Sequence, residues 1–197
     1  MRVNESPIQT TNLFAVPVHA TQLEHFARYA PALIERAEKL CAAGEGMLAS
    51  NRHAFHSSRD FHLHSDEATA WLRWAIVDFA TRALSSPVQI VHAWSISASK
   101  GGWLMPHNHY PHRWSGVMYL SVDHLGDDEL YNYSGRLDLL SPVPLAEVFG
   151  MRSSMSVRPV NGLALIFPGA LQHAVYPHQS DKTRHSVAFN LSTRVAP

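Results

Sequence analysis

Cysteine is almost absent from this chain of 197 residues, which contains Cys41 alone. A single cysteine cannot form an internal disulfide, so the composition indicates a protein of a reducing compartment. The N-terminal segment lacks a basic region followed by an apolar one, and no secretory signal is predicted. No apolar run approaches the roughly 18–20 residues of a membrane span. We therefore predict a soluble, cytoplasmic protein that has no membrane partner.

An excess of charge of either sign is also absent, because 16 basic and 16 acidic side chains cancel. Without a basic surface, binding to nucleic acid is not expected. The length predicts a single domain over residues 1–197. A change of pattern near residue 86 divides this domain into an N-terminal helical part, residues 1–86, and a β-rich core, residues 87–197.

The helical part contains two predicted helices. Thr21 and Glu24 have the spacing of a capping box and predict the start of the first helix. Pro31 is expected to break or kink this helix, and the glycines at positions 44 and 46 are expected to end it. The second helix is predicted from residues 65–67 to Leu84, because an acidic start precedes a run of apolar residues with helical spacing.

Other stretches of the helical part give weaker predictions. Residues 13–18 predict an edge strand, because Pro17 interrupts a short apolar run. Residues 51–64 are predicted to form a loop, since their four histidines follow no clear period. Trp71 and Trp74 lie at or beyond the edge of the apolar face of the second helix. They predict either packing under a loop or a contact between the subunits of a homodimer.

Beyond residue 87 the apolar period changes from that of a helix to that of a strand. Residues 88–97 alternate, and further strands are predicted at residues 114–122, 137–140, 155–158, 162–167, 172–176 and 184–192. Short strands separated by glycine and proline turns predict an antiparallel barrel or jelly roll. The fold class is therefore mainly β with N-terminal helices. The long connections at residues 123–135 and 141–154 are expected to shape a substrate site.

Histidines are concentrated just before the second predicted strand of the core. His107 and His109 are two positions apart, so on an extended segment both would project to the same side. His173 follows a Pro-Gly turn much later in the chain and begins another predicted strand. Because neutral imidazole is the commonest metal ligand near physiological pH, these residues predict a metal site.

The last predicted strand carries an unusual polar face. Arg184 and Ser186 alternate with apolar residues and share their face with Asn190. Because a guanidinium is always charged and binds carboxylates through two hydrogen bonds, its burial would require an anionic ligand. We expect such an anion to bind beside the metal.

These motifs resemble a bacterial branch of the 2-oxoglutarate/Fe(II) oxygenase superfamily. The similarity consists of a His-x-His before SGVMYL, then GLALIFPGALQHAV, then RHSVAFN, and it spans about residues 94–192. The resemblance implies a double-stranded β-helix, a cupin-like jelly roll, with helices packed on one sheet. It also implies oxidative decarboxylation of 2-oxoglutarate to succinate, coupled to hydroxylation of a C–H bond of an unknown, small-molecule substrate.

By the same resemblance, His107 and His173 would bind Fe(II), and Arg184 with Ser186 would bind the far carboxylate of 2-oxoglutarate. His109 stands where most of the superfamily has aspartate or glutamate. Either His109 is the third metal ligand, or that position is filled by water, by a remote carboxylate or by no group. Three neutral histidines would leave the ion more positive. Candidates for hydrogen-bond partners of the ligating histidines are Asn108, Tyr119 and Asn190.

Two other functions fit parts of the sequence. Two segments resemble cupin motifs: Gly101 followed by His107 and His109, and Gly162 followed by His173. Cupin motifs predict a metalloprotein that does not use 2-oxoglutarate. However, Trp114 stands where the first cupin motif has glutamate. A non-catalytic β-helix protein is the third hypothesis, because His109 departs from the usual carboxylate.

Overall fold

A computed structural model describes residues 15–44, 46–123 and 133–193 of the chain. These residues form nine β-strands and two α-helices. In chain order the elements are β1 His19–Gln22, α1 Phe26–Ala43, β2 Asn51–His56, α2 Glu67–Leu84, β3 Val88–His107, β4 Trp114–Ser121, β5 Leu137–Leu140, β6 Ser154–Val157, β7 Leu163–Pro168, β8 His173–Val175 and β9 Arg184–Thr193. Short 3-10 helices at Phe61–Leu63 and Ala146–Phe149 complete the described elements.

The strands form one antiparallel sheet that curls around a cavity. Its order is β1-β7-β4-β9-β3-β8-β5-β6, and β2 pairs with β3 outside this path. The 20-residue strand β3 belongs to both halves of the sheet: its first half pairs with β9 from Val88 to Ala98, and its end pairs with β8 at Leu104 and His107. The predicted class, mainly β with two N-terminal helices, is confirmed.

Both helices pack on the outer face of the half that contains β9. Leu33 of α1 and Leu72 of α2 share an apolar cluster with Val187, Phe189 and Leu191 of β9. Because strand side chains alternate between faces, the residues between these apolar ones point the other way. The alternation therefore turns Arg184, Ser186, Ala188 and Asn190 into the cavity, as the sequence predicted.

A close approach of strands explains one glycine of the β4 motif. A Cβ atom on Gly116 would lie 2.4 Å from the carbonyl oxygen of Leu165 and from the ring of Phe189. Such a contact is far inside van der Waals distance, so only glycine fits where β4 lies between β7 and β9.

The start of the first helix was predicted wrongly. Thr21 lies in β1, which pairs with β7, and α1 begins at Phe26 after His25 in a left-handed conformation (φ 58). The long-range pairing of β1 thus overrides the local capping pattern. Pro31 does not interrupt α1, which continues to Ala43, because one missing amide near the helix start removes a single hydrogen bond. The helix ends at Gly44, as predicted, with φ 74.

Two further expectations for this part of the chain are corrected. Residues 51–64 are not a loop, because β2 pairs with β3 (Ala54 opposite Ala98) and a 3-10 helix follows. A shift of register between Arg52 and Ala54 disrupts the alternation of β2, which explains why the sequence shows no period there. The edge strand predicted at residues 13–18 is also corrected, because residues 15–18 form no strand and β1 begins at His19. Residues 13–14 lie outside the described chain.

The second helix and the core strands other than β3 agree with prediction within a few residues. Asp66 caps α2 by accepting hydrogen bonds from the amide and hydroxyl of Thr69, at 3.0 and 2.9 Å. Partial burial opposes ionisation of Asp66, but these hydrogen bonds and the charge of Arg36 outweigh it and lower the pKa of Asp66 to about 2. The Asp66–Arg36 ion pair also joins the two helices.

Strand β3 is longer than predicted and extends to His107.

The two tryptophans of α2 have different environments. Trp71 is buried and stacks on Tyr29 with 5.0 Å between ring centroids, whereas Trp74 is 54% exposed. Trp71 is therefore a packing residue between the helices. In the described ranges, no helix has the length and hydropathy that a membrane span requires.

Candidate metal centre and anion site

A cavity of about 310 Å³ lies between the two halves of the curled sheet. Strands β3, β4, β8 and β9 supply most of its walls. The predicted site residues all line it: His107, His109, His173, Arg184 and Ser186. The curled sheet thus brings residues from opposite ends of the core sequence to one site.

The three histidines meet at one end of this cavity. His107 ends β3 and pairs in register with His173, the first residue of β8, while His109 lies in the turn after β3. One nitrogen from each ring lies within 4.8 Å of the other two. Ring centroids are 4.3 Å apart for His107 and His173, and 5.0 Å apart for His109 and His173. These positions allow all three imidazoles to bind one ion.

Backbone carbonyls set the tautomers of two of these rings. Nδ1 of His107 lies 2.7 Å from the carbonyl oxygen of Met105, and Nδ1 of His173 lies 3.0 Å from that of Leu171. A carbonyl oxygen can only accept, so Nδ1 carries the proton and Nε2 presents a lone pair. The polar partners that a ligating histidine needs are thus backbone carbonyls.

The side chains proposed from sequence for that supporting role have other contacts. Asn190 accepts a hydrogen bond from the hydroxyl of Ser115 at 2.7 Å. Tyr119 lies against Arg184, and the side-chain oxygen of Asn108 accepts from the backbone amide of Tyr110. Because the supporting groups are backbone carbonyls, side-chain identity could not have revealed them.

Burial keeps the three imidazoles neutral. It is the main cause that lowers the pKa of His109 to about 3, with the neighbouring His173 and His107 adding to the effect. Burial also lowers the pKa of His173 to about 4, and it lowers the pKa of His107. All three rings therefore keep a free lone pair at neutral pH, which metal binding requires.

The turn that carries His109 is fixed against the turn before β8. The amide of His109 donates to the carbonyl oxygen of Gly169 at 2.7 Å, and the amide of His112 donates to that of His109 at 2.8 Å. A Cβ on Gly169 would lie 2.1 Å from the carbonyl oxygen of His112, so the close approach requires glycine. The His109 ring packs 5.5 Å from Trp94 and nearly parallel to His173. His109 is thus positioned by its backbone hydrogen bond and by the rings that pack against it.

A buried guanidinium occupies the wall beyond the histidines. Arg184 is 2% exposed, and its Nη1 donates to the carbonyl oxygen of Gly135 at 2.9 Å. Its Nε is buried without a hydrogen-bond partner, and no carboxylate in the described chain forms an ion pair with it. Burial lowers the pKa of Arg184, which reflects the cost of an uncompensated charge. Among the described residues, no side chain supplies the negative charge that this buried guanidinium requires.

Two neighbours of Arg184 shape the anion site. Its guanidinium lies 5.8 Å from the ring centroid of Tyr119, and burial raises the pKa of Tyr119 to about 12. The Tyr119 hydroxyl is therefore a neutral hydrogen-bonding group at physiological pH. Ser186, also buried, lies two residues along β9 on the same face and presents its hydroxyl to the cavity.

The cavity includes residues that the sequence did not indicate and excludes some that it did. His56 and Arg59 line it, although their segment was predicted as a loop with no role. His112 lines the mouth but packs against His92, 5.3 Å away, and is outside the histidine cluster. No residue of the 141–154 connection lines the cavity, and its role in shaping a substrate site stays a prediction. In the 123–135 connection, residues 124–132 lie outside the described chain.

Comparison with protein families matches residues 92–190 to the family described as "Putative 2OG-Fe(II) oxygenase". The matched range includes all three histidines, Arg184 and Ser186. Comparison with curated protein sequences gives no significant match.

Several solved structures have a fold similar to that of this chain. A prolyl-4-hydroxylase of Pseudomonas putida is 16% identical, with a TM-score of 0.65 over 90% of this chain and 93% of that one. HygX of Streptomyces hygroscopicus, solved with nickel and 2-oxoglutarate, is 12% identical, with a TM-score of 0.67 over 91% and 84%. A prolyl hydroxylase of Trichoplax adhaerens, in complex with a peptide fragment, is 14% identical, with a TM-score of 0.63 over 88% and 82%. These similarities confirm the double-stranded β-helix.

Proposed function

Because the chain belongs to the 2OG-Fe(II) oxygenase family, we propose that its cavity binds Fe(II) through His107, His109 and His173 and 2-oxoglutarate through Arg184 and Ser186. One observation carries the proposal: three neutral imidazoles converge within 4.8 Å in the same cavity as a buried guanidinium that pairs with no carboxylate of the described residues. Imidazole is a suitable ligand for iron, and the guanidinium is a suitable partner for a carboxylate.

The chain's own groups have distinct tasks in this reaction. The carbonyl oxygens of Met105 and Leu171 hold two imidazoles with Nε2 toward the ion. Arg184 and Ser186 orient the far carboxylate of 2-oxoglutarate, and apolar neighbours such as Phe167 limit the access of water. When bound, Fe(II) supplies the site at which oxygen is reduced while 2-oxoglutarate is decarboxylated to succinate and a substrate C–H bond is hydroxylated.

The donor set differs from the usual two histidines and one carboxylate. No aspartate or glutamate in the described chain lines the cavity, and the nearness of His109 to the other two rings supports it as the third donor. A neutral third ligand leaves the ion with its full double charge, which strengthens the attraction of anionic co-ligands. This donor set therefore favours binding of the dianionic 2-oxoglutarate.

Arg184, which pairs with no carboxylate in the part of the chain that the structure describes, also bears on the alternative functions. A cupin-type metalloprotein that does not use 2-oxoglutarate would leave this buried guanidinium without an anion, at a cost of several kcal/mol. A non-catalytic protein would have no reason to keep three neutral imidazoles around a common point. Both alternatives are therefore less consistent with the cavity than an oxygenase.

The direct test is anaerobic addition of Fe(II) and 2-oxoglutarate to purified protein. We expect a weak visible charge-transfer band that requires both components, because chelation of the ion by the keto acid produces it. Chelator-treated protein and protein given Fe(II) alone serve as controls and should show no band. Absence of the band, together with no binding of 2-oxoglutarate by calorimetry, would exclude the proposed function.

Other features of the chain stay predictions. The composition suggests a cytoplasmic location and a single domain, and the cavity volume of about 310 Å³ suits a small-molecule substrate or one side chain of a larger one. A homodimer contact through the exposed Trp74 is likewise a prediction.

A further inference from the structure

Arg59 lies at the mouth of the cavity with its side chain exposed and its backbone fixed. The amide of Ala93 in β3 donates to the carbonyl oxygen of Arg59 at 3.1 Å. Two residues earlier, the amide of Ser57 donates to the carbonyl oxygen of Ser95 at 3.0 Å. The segment is thus attached to β3 on either side of Trp94, while the Arg59 guanidinium lines the opening.

The charge of Arg59 has no counterion in the described chain. No aspartate or glutamate of the described residues lies within ion-pair distance of the Arg59 side chain. Asp60, the next residue, instead accepts a hydrogen bond from the hydroxyl of Ser58. Arg59 is therefore available to a ligand that enters the cavity.

The Arg59 side chain lines the same cavity as His109 and His112. His56, on the same wall, stacks on Trp94 and uses Nδ1 to donate to the carbonyl oxygen of Ser57. Its Nε2 then has no proton to offer, so Arg59 is the cationic donor of this wall.

The charges of the side chains that line the cavity also favour an anionic ligand at the opening. The ionisable side chains that line it are two arginines, five histidines and two tyrosines, with no carboxylate from the described chain. When 2-oxoglutarate and a divalent ion are bound, the far carboxylate pairs with Arg184 and the other carboxylate offsets only part of the charge of the ion, so the charge of Arg59 stays uncompensated. Such a field attracts a further anion to the opening.

We propose, on the basis of the proposed function, that the primary substrate carries a carboxylate or phosphate group that Arg59 binds at the cavity mouth. The arrangement assigns one arginine to each anion: the buried Arg184 to the co-substrate and the exposed Arg59 to the substrate. The substrate carbon that is oxidised then lies between Arg59 and the histidine cluster.

The test measures ligand binding to protein loaded with Ni(II) and 2-oxoglutarate, the pair found in the HygX structure. The probes are benzoate and phenyl phosphate, with benzamide and phenol as their uncharged counterparts, and binding is followed by ligand-observed NMR. The variants are Arg59→Gln and, as the matched control, Arg82→Gln, which removes an arginine of α2 that does not line the cavity.

We expect at least one anionic probe to bind at millimolar concentration and more tightly than its uncharged counterpart. Arg59→Gln should weaken that binding about tenfold, as expected for loss of a charge-assisted pair, and Arg82→Gln should leave it unchanged. Preference for benzoate or for phenyl phosphate identifies the anion. Because the site is exposed, added salt should weaken binding to the wild type more than to Arg59→Gln.

The proposal is overturned if neither anion binds, if the uncharged probes bind equally well, or if Arg59→Gln retains the wild-type affinity. Loss of 2-oxoglutarate from Arg59→Gln would assign this arginine to the co-substrate and would also overturn it. Failure of the proposed function has a different outcome, because wild-type protein would then not bind Ni(II) with 2-oxoglutarate before any probe is added.

Discussion

Replacement of His107 or His173 by alanine is expected to lower the affinity for Fe(II) by more than about a hundredfold. Loss of the group that hydrogen-bonds to a metal ligand lowers the affinity by up to about a hundredfold, and loss of the ligand itself should lower it further. Each substitution removes a donor whose lone pair is held toward the ion by a backbone carbonyl. The remaining two donors cannot enclose the ion. Anaerobic metal titration monitored by calorimetry measures the effect, and succinate production should be lost with it.

The matched control is His64→Ala, which removes an exposed histidine that does not line the cavity. Its metal affinity should equal that of the wild type. Circular dichroism of the metal-free variants shows whether the fold is kept, because the ligand variants delete a buried ring (His173) or a partly buried one (His107). A folded His107→Ala or His173→Ala protein with wild-type metal affinity would show that the ion binds elsewhere.

His109 provides a comparison within the same experiment. His109→Ala should weaken Fe(II) binding by at least about tenfold, whereas His109→Asp should retain metal, because it restores the two-histidine, one-carboxylate set. The aspartate also cancels one positive charge beside 2-oxoglutarate, so we expect weaker co-substrate binding in His109→Asp than in the wild type. Full metal content in His109→Ala would remove His109 from the ligand set.

Arg184→Ala is expected to weaken 2-oxoglutarate binding by about 2–5 kcal/mol, at least roughly thirtyfold, without loss of metal. The guanidinium is buried, and the far carboxylate of the co-substrate is its proposed counterion. The variant would leave that carboxylate in the cavity without a cationic partner. Calorimetric titration of Ni(II)-loaded protein with 2-oxoglutarate measures the loss.

Arg184→Lys distinguishes charge from geometry. Lysine keeps the positive charge but cannot form two parallel hydrogen bonds to a carboxylate, so its affinity for 2-oxoglutarate should lie between wild type and Arg184→Ala. Arg82→Gln again controls for the loss of a surface arginine. An unchanged affinity in Arg184→Ala would make Arg184 a structural residue of β9 and would transfer co-substrate binding to another group.

The β-rich core could be predicted because its signals are local. The period of two in residues 184–192 placed Arg184 and Ser186 on one face, and this face lines the cavity. The Pro-Gly turn before His173 likewise placed this histidine at a strand start, where β8 begins. In these segments the pattern of each strand and its burial agree, so the sequence alone was sufficient.

The N-terminal errors have the opposite cause. The β1 strand at Thr21 is set by pairing with β7 more than a hundred residues later, and β2 is set by pairing with the far half of β3. Local sequence carries little information about such partners. The same limit explains why Arg59 was missed: its segment reaches the cavity only because β3 binds its backbone.

The most direct test of the account is a crystal structure of the protein with Ni(II) and 2-oxoglutarate. We expect one nitrogen each of His107, His109 and His173 at about 2.0–2.2 Å from the ion, and the far carboxylate of 2-oxoglutarate on Arg184. An ion held by His107 and His173 alone, with His109 turned away, would contradict the three-histidine site. A co-substrate that does not contact Arg184 would contradict the proposed anion site.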